Sequence, residues 1–115
     1  MDRYVFRNVT ISGAGGSTTV STDGDILGHQ VVGIATDAAW DTQNVTFNVD
    51  PGDGTFRLVT GLLLTAPVAS RVTFLNTGAA APFVVPILVG SKIQVVSAVA
   101  QGDVTTVTLL CVKLP

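Results

Sequence analysis

The sequence predicts an all-β fold: a single antiparallel β-sandwich of about eight strands, jelly-roll-like in character. Three observations carry that expectation. Nineteen Val, 15 Thr and 5 Ile make up about a third of the 115 residues, and these β-branched side chains are stiff at χ1 and suit a pleated surface. Helix formers are scarce, with no Glu and only two Lys, and no apolar i, i+3, i+4, i+7 stripe is sustained anywhere. Turn clusters rich in Gly, Asp, Asn and Ser recur at intervals too short for the crossover helices of a parallel sheet.

The elements follow in order. Tyr4 to Ile11 alternates as a first strand, ended by the glycine-rich turn Ser12-Gly13-Ala14-Gly15-Gly16-Ser17. Thr18 to Ser21 forms a short strand, and Thr22-Asp23-Gly24-Asp25 turns the chain. His29 to Thr36, carrying Val31, Val32 and Ile34, reads as a buried strand. Val45, Phe47 and Val49 share one face while Thr46 and Asn48 share the other, the period of two of a half-buried strand. Asp50-Pro51-Gly52-Asp53-Gly54 is a hairpin signal with Thr55 to Thr60 returning. Val68 to Leu75 is a strand and Asn76-Thr77-Gly78 a turn. Phe83 to Val89 contains Pro86, which suits an edge or a bulge. Lys92 to Val99 follows, then the turn Gln101-Gly102-Asp103 and a long last strand from Val104 to Leu114.

Composition narrows the function classes. Only 14 residues are charged, six Lys and Arg against eight Asp, for a net charge of -2; that is about half the usual charged share. Such a chain either enters a membrane or covers its surface with partners. Residues 72–91 are uncharged over roughly the length of a bilayer span. Thr73, Asn76, Thr77, Gly78, Pro82, Pro86 and Gly90 interrupt them, so a spanning helix is not expected. The start, Met1-Asp2-Arg3-Tyr4, lacks an apolar signal core, which sets the expectation of a product made in the cytosol. Scattered basic residues give no stripe for nucleic acid. Cys111 is the single cysteine, excluding an intrachain disulfide and a cysteine-based zinc site.

Residues that could carry chemistry are few. His29, between Gly28 and Gln30, is the only histidine, so no nucleophile–base constellation is supported. Cys111 among Leu109, Leu110 and Val112 reads as a small buried hydrophobe. Asp23 with Asp25, and Asp50 with Asp53, could offer oxygens to calcium. Asp in glycine-rich turns also caps its own backbone without any metal, and that reading is preferred. Asn8-Val9-Thr10 and Asn44-Val45-Thr46 match glycosylation acceptors but arise readily in a Thr-rich chain. Trp40, the lone tryptophan, is either a loop anchor or a rigid platform for a partner or a sugar. The expectation is a non-enzyme, with no catalytic residue, no cofactor and no metal.

Gly33-Ile34-Ala35-Thr36-Asp37-Ala38-Ala39-Trp40, then Asn44-Val45-Thr46-Phe47, then Asp53-Gly54-Thr55-Phe56-Arg57-Leu58-Val59, resembles a pattern in small virion structural proteins of tailed bacteriophages. Lys92-Ile93-Gln94-Val95-Val96-Ser97 and Gln101-Gly102-Asp103-Val104-Thr105-Thr106-Val107-Thr108-Leu109 are similar to the closing strand pair there. The likeness covers more than half of the chain, with Asp50-Pro51-Gly52-Asp53-Gly54 standing where the pattern has Ser-Asp-Asp-Gly. It implies a β-sandwich decoration, cement or head-fibre-base protein with no catalytic residues. Its partners would be the major capsid protein or other virion subunits and further copies of itself, as a homotrimer. Its place would be the virion. Arg3, Tyr4, Arg7 and Trp40 are the candidate interface residues, with residues 1–7 as a docking arm. The alternative is a head, neck or tail fibre-base protein, or a carbohydrate-binding module that meets host-surface glycans through Trp40 and the Asp-rich turns.

Overall fold

The computed structural model describes residues 4–12, 19–75 and 88–114. Eight strands and no helix are found among them: β1 (Val5–Ile11), β2 (Gly24–Asp25), β3 (His29–Thr36), β4 (Val45–Asp50), β5 (Arg57–Leu58), β6 (Val72–Phe74), β7 (Lys92–Ser97) and β8 (Thr105–Lys113). They form two four-stranded sheets, β1-β8-β3-β6 and β2-β7-β4-β5. Every pairing is antiparallel. The pairs β1·β8, β2·β7, β3·β6 and β4·β5 are those of one long hairpin whose tip is the β4–β5 turn. Rolling that ribbon brings β8 onto β3 and β7 onto β4, which gives the strand order of a jelly roll.

The alternation in the sequence explains why the two sheets face each other. Val9 and Ile11 of β1, Val31 and Ile34 of β3, Val107, Leu109 and Cys111 of β8 are buried from one side. Val45 and Phe47 of β4 and Ile93 and Val95 of β7 meet them from the other. β3 needs a bulge to keep this pattern: Val31 opposes Cys111 while Gly33 opposes Leu110, so Val32 is the extra residue. Gly24 sets how closely the sheets approach at the β2 end. A Cβ there would lie 2.9 Å from both Leu109 Cδ1 and Val9 Cγ1. Reciprocal bonds between Thr10 and Thr22 close that corner, with Thr22 N–H donating to Thr10 O at 2.9 Å and Thr10 N–H to Thr22 Oγ1 at 3.0 Å.

Several strands differ from the sequence reading. Gly24–Asp25 is strand β2 rather than part of a turn, because Gly24 and Asp25 pair with Ile93 and Lys92. The run expected over Thr18 to Ser21 contributes an isolated bridge, Val20 to Val96, and Thr18 lies outside the described residues. The returning strand after the hairpin shrinks to Arg57–Leu58. Val68 to Arg71 is loop, since Ser70 takes a left-handed φ of 59° and Thr36 Oγ1 donates to the carbonyl of Val68 at 2.7 Å. Of the Phe83 to Val89 run, Phe83 to Ile87 lie outside the described residues, and Leu88 bridges to Val31. The Ser12–Ser17 turn from Gly13 onward and the Asn76-Thr77-Gly78 turn also lie outside them.

Candidate interaction face

The two outer faces of the sandwich differ in chemistry. On the β2-β7-β4-β5 sheet the outward face mixes polar and apolar positions: Gln94 Nε2 donates to Asp23 Oδ1 at 3.0 Å and Asn48 Nδ2 to Gln94 Oε1 at 3.2 Å, while Leu58, opposite Asn48, is exposed. Asp25 and Lys92 stand at opposed ladder positions beside them. Charge at Asp25 and Lys92 is what sets this face apart from the other.

On the β1-β8-β3-β6 sheet the register lines up a different surface. Phe6 opposes Leu110, Leu110 opposes Gly33, and Gly33 opposes Phe74, one row across all four strands. The neighbouring row is Asn8, Thr108, Ala35 and Val72. Neither row carries a charge. Phe6 is 59% exposed, Val72 53% and Phe74 44%, while Leu110 is 6% exposed although it points away from the core. Gly33 makes the row continuous: a Cβ there would sit 2.9 Å from the Thr73 carbonyl and 3.2 Å from Phe74 Cδ1. β6 and its aromatic ring can therefore lie close against β3. An uncharged sheet face with exposed aromatics is what a partner-covered surface offers.

The proposed interface residues are placed differently from one another. Tyr4, just before β1, and Phe6 within it stand side by side, ring centroids 6.4 Å apart and tilted by 32°. Arg7 lies within β1, opposite Leu109, and its Nη1 donates to the carbonyl of Phe6 at 3.2 Å. Val5 to Arg7 thus belong to the first strand rather than to a free arm, because alternation continues through them into the β8 ladder. Arg3 lies outside the described residues. Trp40 is 3% exposed and donates its indole N–H to the Pro67 carbonyl at 2.8 Å. Buried and fixed in this way, the ring anchors the β3–β4 connection to the loop before β6 and offers no open platform.

Trp40 is one part of a corner that sequence reasoning passed over. Asp37 accepts from Ala39 N–H at 3.1 Å and Thr106 N–H at 2.8 Å. Asp41 accepts from Gly102 N–H at 2.8 Å. Gln101, read from sequence as a turn residue, is wholly buried and bonds Asp41 and Ser97. Nothing in a Gln between Ala100 and Gly102 marks it as buried, since Asp41, whose backbone it holds, is 60 residues away.

The Asp-rich turns are occupied by the protein itself. Asp50 Oδ1 accepts from Gly52 and Gly54 N–H at 2.8 and 3.1 Å. Asp53 accepts from Thr55 N–H at 3.0 Å and pairs with Arg57 at 2.9 Å. The Thr55 N–H first, and the Arg57 hydrogen bond second, hold its carboxyl below the usual range. Asp25 caps Leu27 N–H at 3.2 Å. Among the described residues no three His, Cys, Asp or Glu side chains converge as a metal set.

Of the Asn-X-Thr triplets, Asn8 Oδ1 accepts from Thr108 Oγ1 at 2.8 Å and Asn44 Oδ1 from Ala66 N–H at 2.9 Å, so the side-chain carbonyl oxygen of each is engaged. His29 Nδ1 lies 3.0 Å from the Leu27 carbonyl, and Cys111 is buried in β8. No helix of the described residues is long and apolar enough to cross a membrane. Set against protein-family models, curated proteins and solved structures, the chain finds no match.

Proposed function

We propose that this chain is a non-enzymatic structural protein of a bacteriophage virion, a capsid decoration or cement subunit that acts as a homo-oligomer and stabilises the shell through subunit contacts. The reading rests on the resemblance of the Gly33–Trp40, Asn44–Phe47, Asp53–Val59, Lys92–Ser97 and Gln101–Leu109 segments to such proteins. The observation that carries it furthest is the uncharged outer face built from Phe6, Leu110, Gly33 and Phe74. Burying that row against a shell protein removes apolar area from water at about 25 cal/mol per Å², and no buried charge must be compensated. The jelly-roll order agrees by analogy alone, since viral capsid domains, lectins and cupins all use it. The glycan-binding alternative draws no support from Trp40, whose ring is enclosed.

Co-sedimentation with shells of the phage that encodes the chain tests the proposal. The protein should bind saturably, at a copy number set by the shell symmetry, and should raise the temperature at which the shells open. Phe74→Lys, at a position 44% exposed, should keep the fold and lose most of the binding. Absence of any binding to intact or expanded shells would sink the proposal.

A further inference from the structure

Among the described residues each sheet has two edge strands, and three of the four are short. β2 and β5 are two residues long and β6 three, a length that by itself discourages edge-to-edge pairing. The fourth, β1, runs for seven residues, Val5–Ile11, without Pro, Lys or a bulge. Its backbone polarity can be read from its far end. Thr10 turns its N–H and C=O away from β8 to meet Thr22, so by the alternation of an antiparallel ladder Asn8 and Phe6 also turn theirs outward, and extending the alternation one residue before the strand gives Tyr4 the same sense. Among the described residues no strand pairs with that edge at these three positions.

We infer that β1 is a self-pairing edge: two copies of the chain join β1 to β1 antiparallel about a two-fold axis at Phe6, merging two four-stranded sheets into one of eight. The outward groups then match in pairs, Phe6 with Phe6 of the second copy and Tyr4 with Asn8 on either side. Three such pairs exchange about six backbone hydrogen bonds. The register is chosen by charge. A shift that set Phe6 opposite Asn8 would place the Arg7 side chains of the two copies directly across from one another, a like-charge pair that destabilises a sheet. The Phe6 register instead puts Arg7 opposite Val5. It also gathers four aromatic rings, two Tyr4 and two Phe6, at the junction, where cross-strand aromatic pairs favour association. The Phe6-Leu110-Gly33-Phe74 row of each copy becomes one row crossing the joined sheet. Arg7 Nη1 at present holds the Phe6 carbonyl from its flexible stem, and on pairing it is replaced by a backbone N–H.

The contact is isologous and closes at two copies, in place of the trimer that the resemblance suggests. It stands on the sheet edge alone and needs no shell, so its failure and that of the decoration reading are separable. Sedimentation equilibrium of the full chain at tens of micromolar should give twice the 11.8 kDa mass. Asn8→Pro removes an N–H that β8 does not use, and it should weaken dimerisation by about tenfold or more with circular dichroism unchanged.

Register is tested by cross-linking in a Cys111→Ala background. Phe6→Cys places two thiols across one hydrogen-bonded pair, about 5.5 Å between Cα atoms, within disulfide reach. It should form a covalent dimer on mild oxidation. Asn8→Cys leaves its thiols about four residues, or roughly 13 Å, out of register, and should not. A wild-type monomer or trimer, or cross-linking of Asn8→Cys as fast as of Phe6→Cys, overturns the inference. The cysteine pair keeps the test decisive if the proline variant fails to fold.

Discussion

Gln101 grips both backbone groups of Asp41 at once: its Oε1 accepts from the Asp41 N–H at 2.6 Å while its Nε2 donates to the Asp41 carbonyl at 3.1 Å. A second bond from Nε2 to Ser97 Oγ at 3.0 Å ties the same amide to the end of β7. One side chain thus joins the β3–β4 connection to the turn before β8. Such a contact is valuable because Gln101 is fully buried and the groups it satisfies have no equal replacement. Gln101→Ala should lower the unfolding free energy by about 1–3 kcal/mol from the unpaired groups alone, as read in urea titrations. Gln101→Glu should be worse at pH 7 than at pH 4. Facing the Asp41 carbonyl, its carboxyl would have a raised folded-state pKa, so stability present in acid is lost as the pH rises through that value.

Trp40 provides a second test at the same corner. It is the only tryptophan, so its fluorescence reports this site without deconvolution. With the ring 3% exposed, emission should be blue-shifted, and acrylamide or iodide should quench it weakly until the chain unfolds. Trp40→Phe keeps an aromatic body but abandons the Pro67 carbonyl, which should cost about 1–3 kcal/mol. Strong quenching in the native state would reopen the platform reading.

These two residues also show how far sequence patterning reaches. Long strands were legible because one face is buried: the bounds of His29–Thr36 follow from the run through Val31 and Ile34, and Val45, Phe47 and Val49 announce β4 by period alone. β2 was not legible. Gly24 and Asp25 are turn formers locally, and only the close approach to Leu109, Val9 and Ile93 makes a glycine-bearing strand the solution there. The uncharged outer row was invisible for a related reason. Phe6, Leu110, Gly33 and Phe74 come from four strands scattered over the chain, and only the register sets them side by side. Asp50 was legible as a turn residue, since capping Gly52 and Gly54 N–H is local chemistry.

Glycines separate into two kinds that substitution should distinguish. A Cβ at Gly90 would lie 2.5 Å from Val49 Cγ1 and 2.8 Å from the Asp50 carbonyl, beside the bond that Ser91 N–H makes to that carbonyl. Gly90→Ala must therefore push β4 away from the β7 entry, and overpacking of this sort costs about 1–3 kcal/mol. At Gly28 a Cβ meets nothing within 4 Å, and only its φ of 79° resists substitution. Gly28→Ala should cost about 1–2 kcal/mol, and Gly28→Asn less, because Asn tolerates the left-handed region. Equal losses for Gly28→Ala and Gly28→Asn would show that conformation is not the cause.

Cys111 supplies a clock for opening of the sandwich and a pH signature. Burial in β8 pushes its thiol above the ordinary value, partly offset by the nearby Arg7 charge. A thiol that ionises more easily in the unfolded chain stabilises the fold fully below the ordinary thiol range. That contribution is lost as the pH rises through the range toward the folded-state value. The urea midpoint should consequently fall more steeply above about pH 9 in the wild type than in Cys111→Val, which is similar in size and does not titrate. At pH 8 the thiol should react with an aromatic disulfide reagent only through opening of the β1·β8·β3 sheet. The labelling rate should then climb with urea in step with global unfolding. Rapid labelling in the absence of denaturant would mean that β8 is exposed in the native state, contrary to the pairing of Cys111 with both Val5 and Val31.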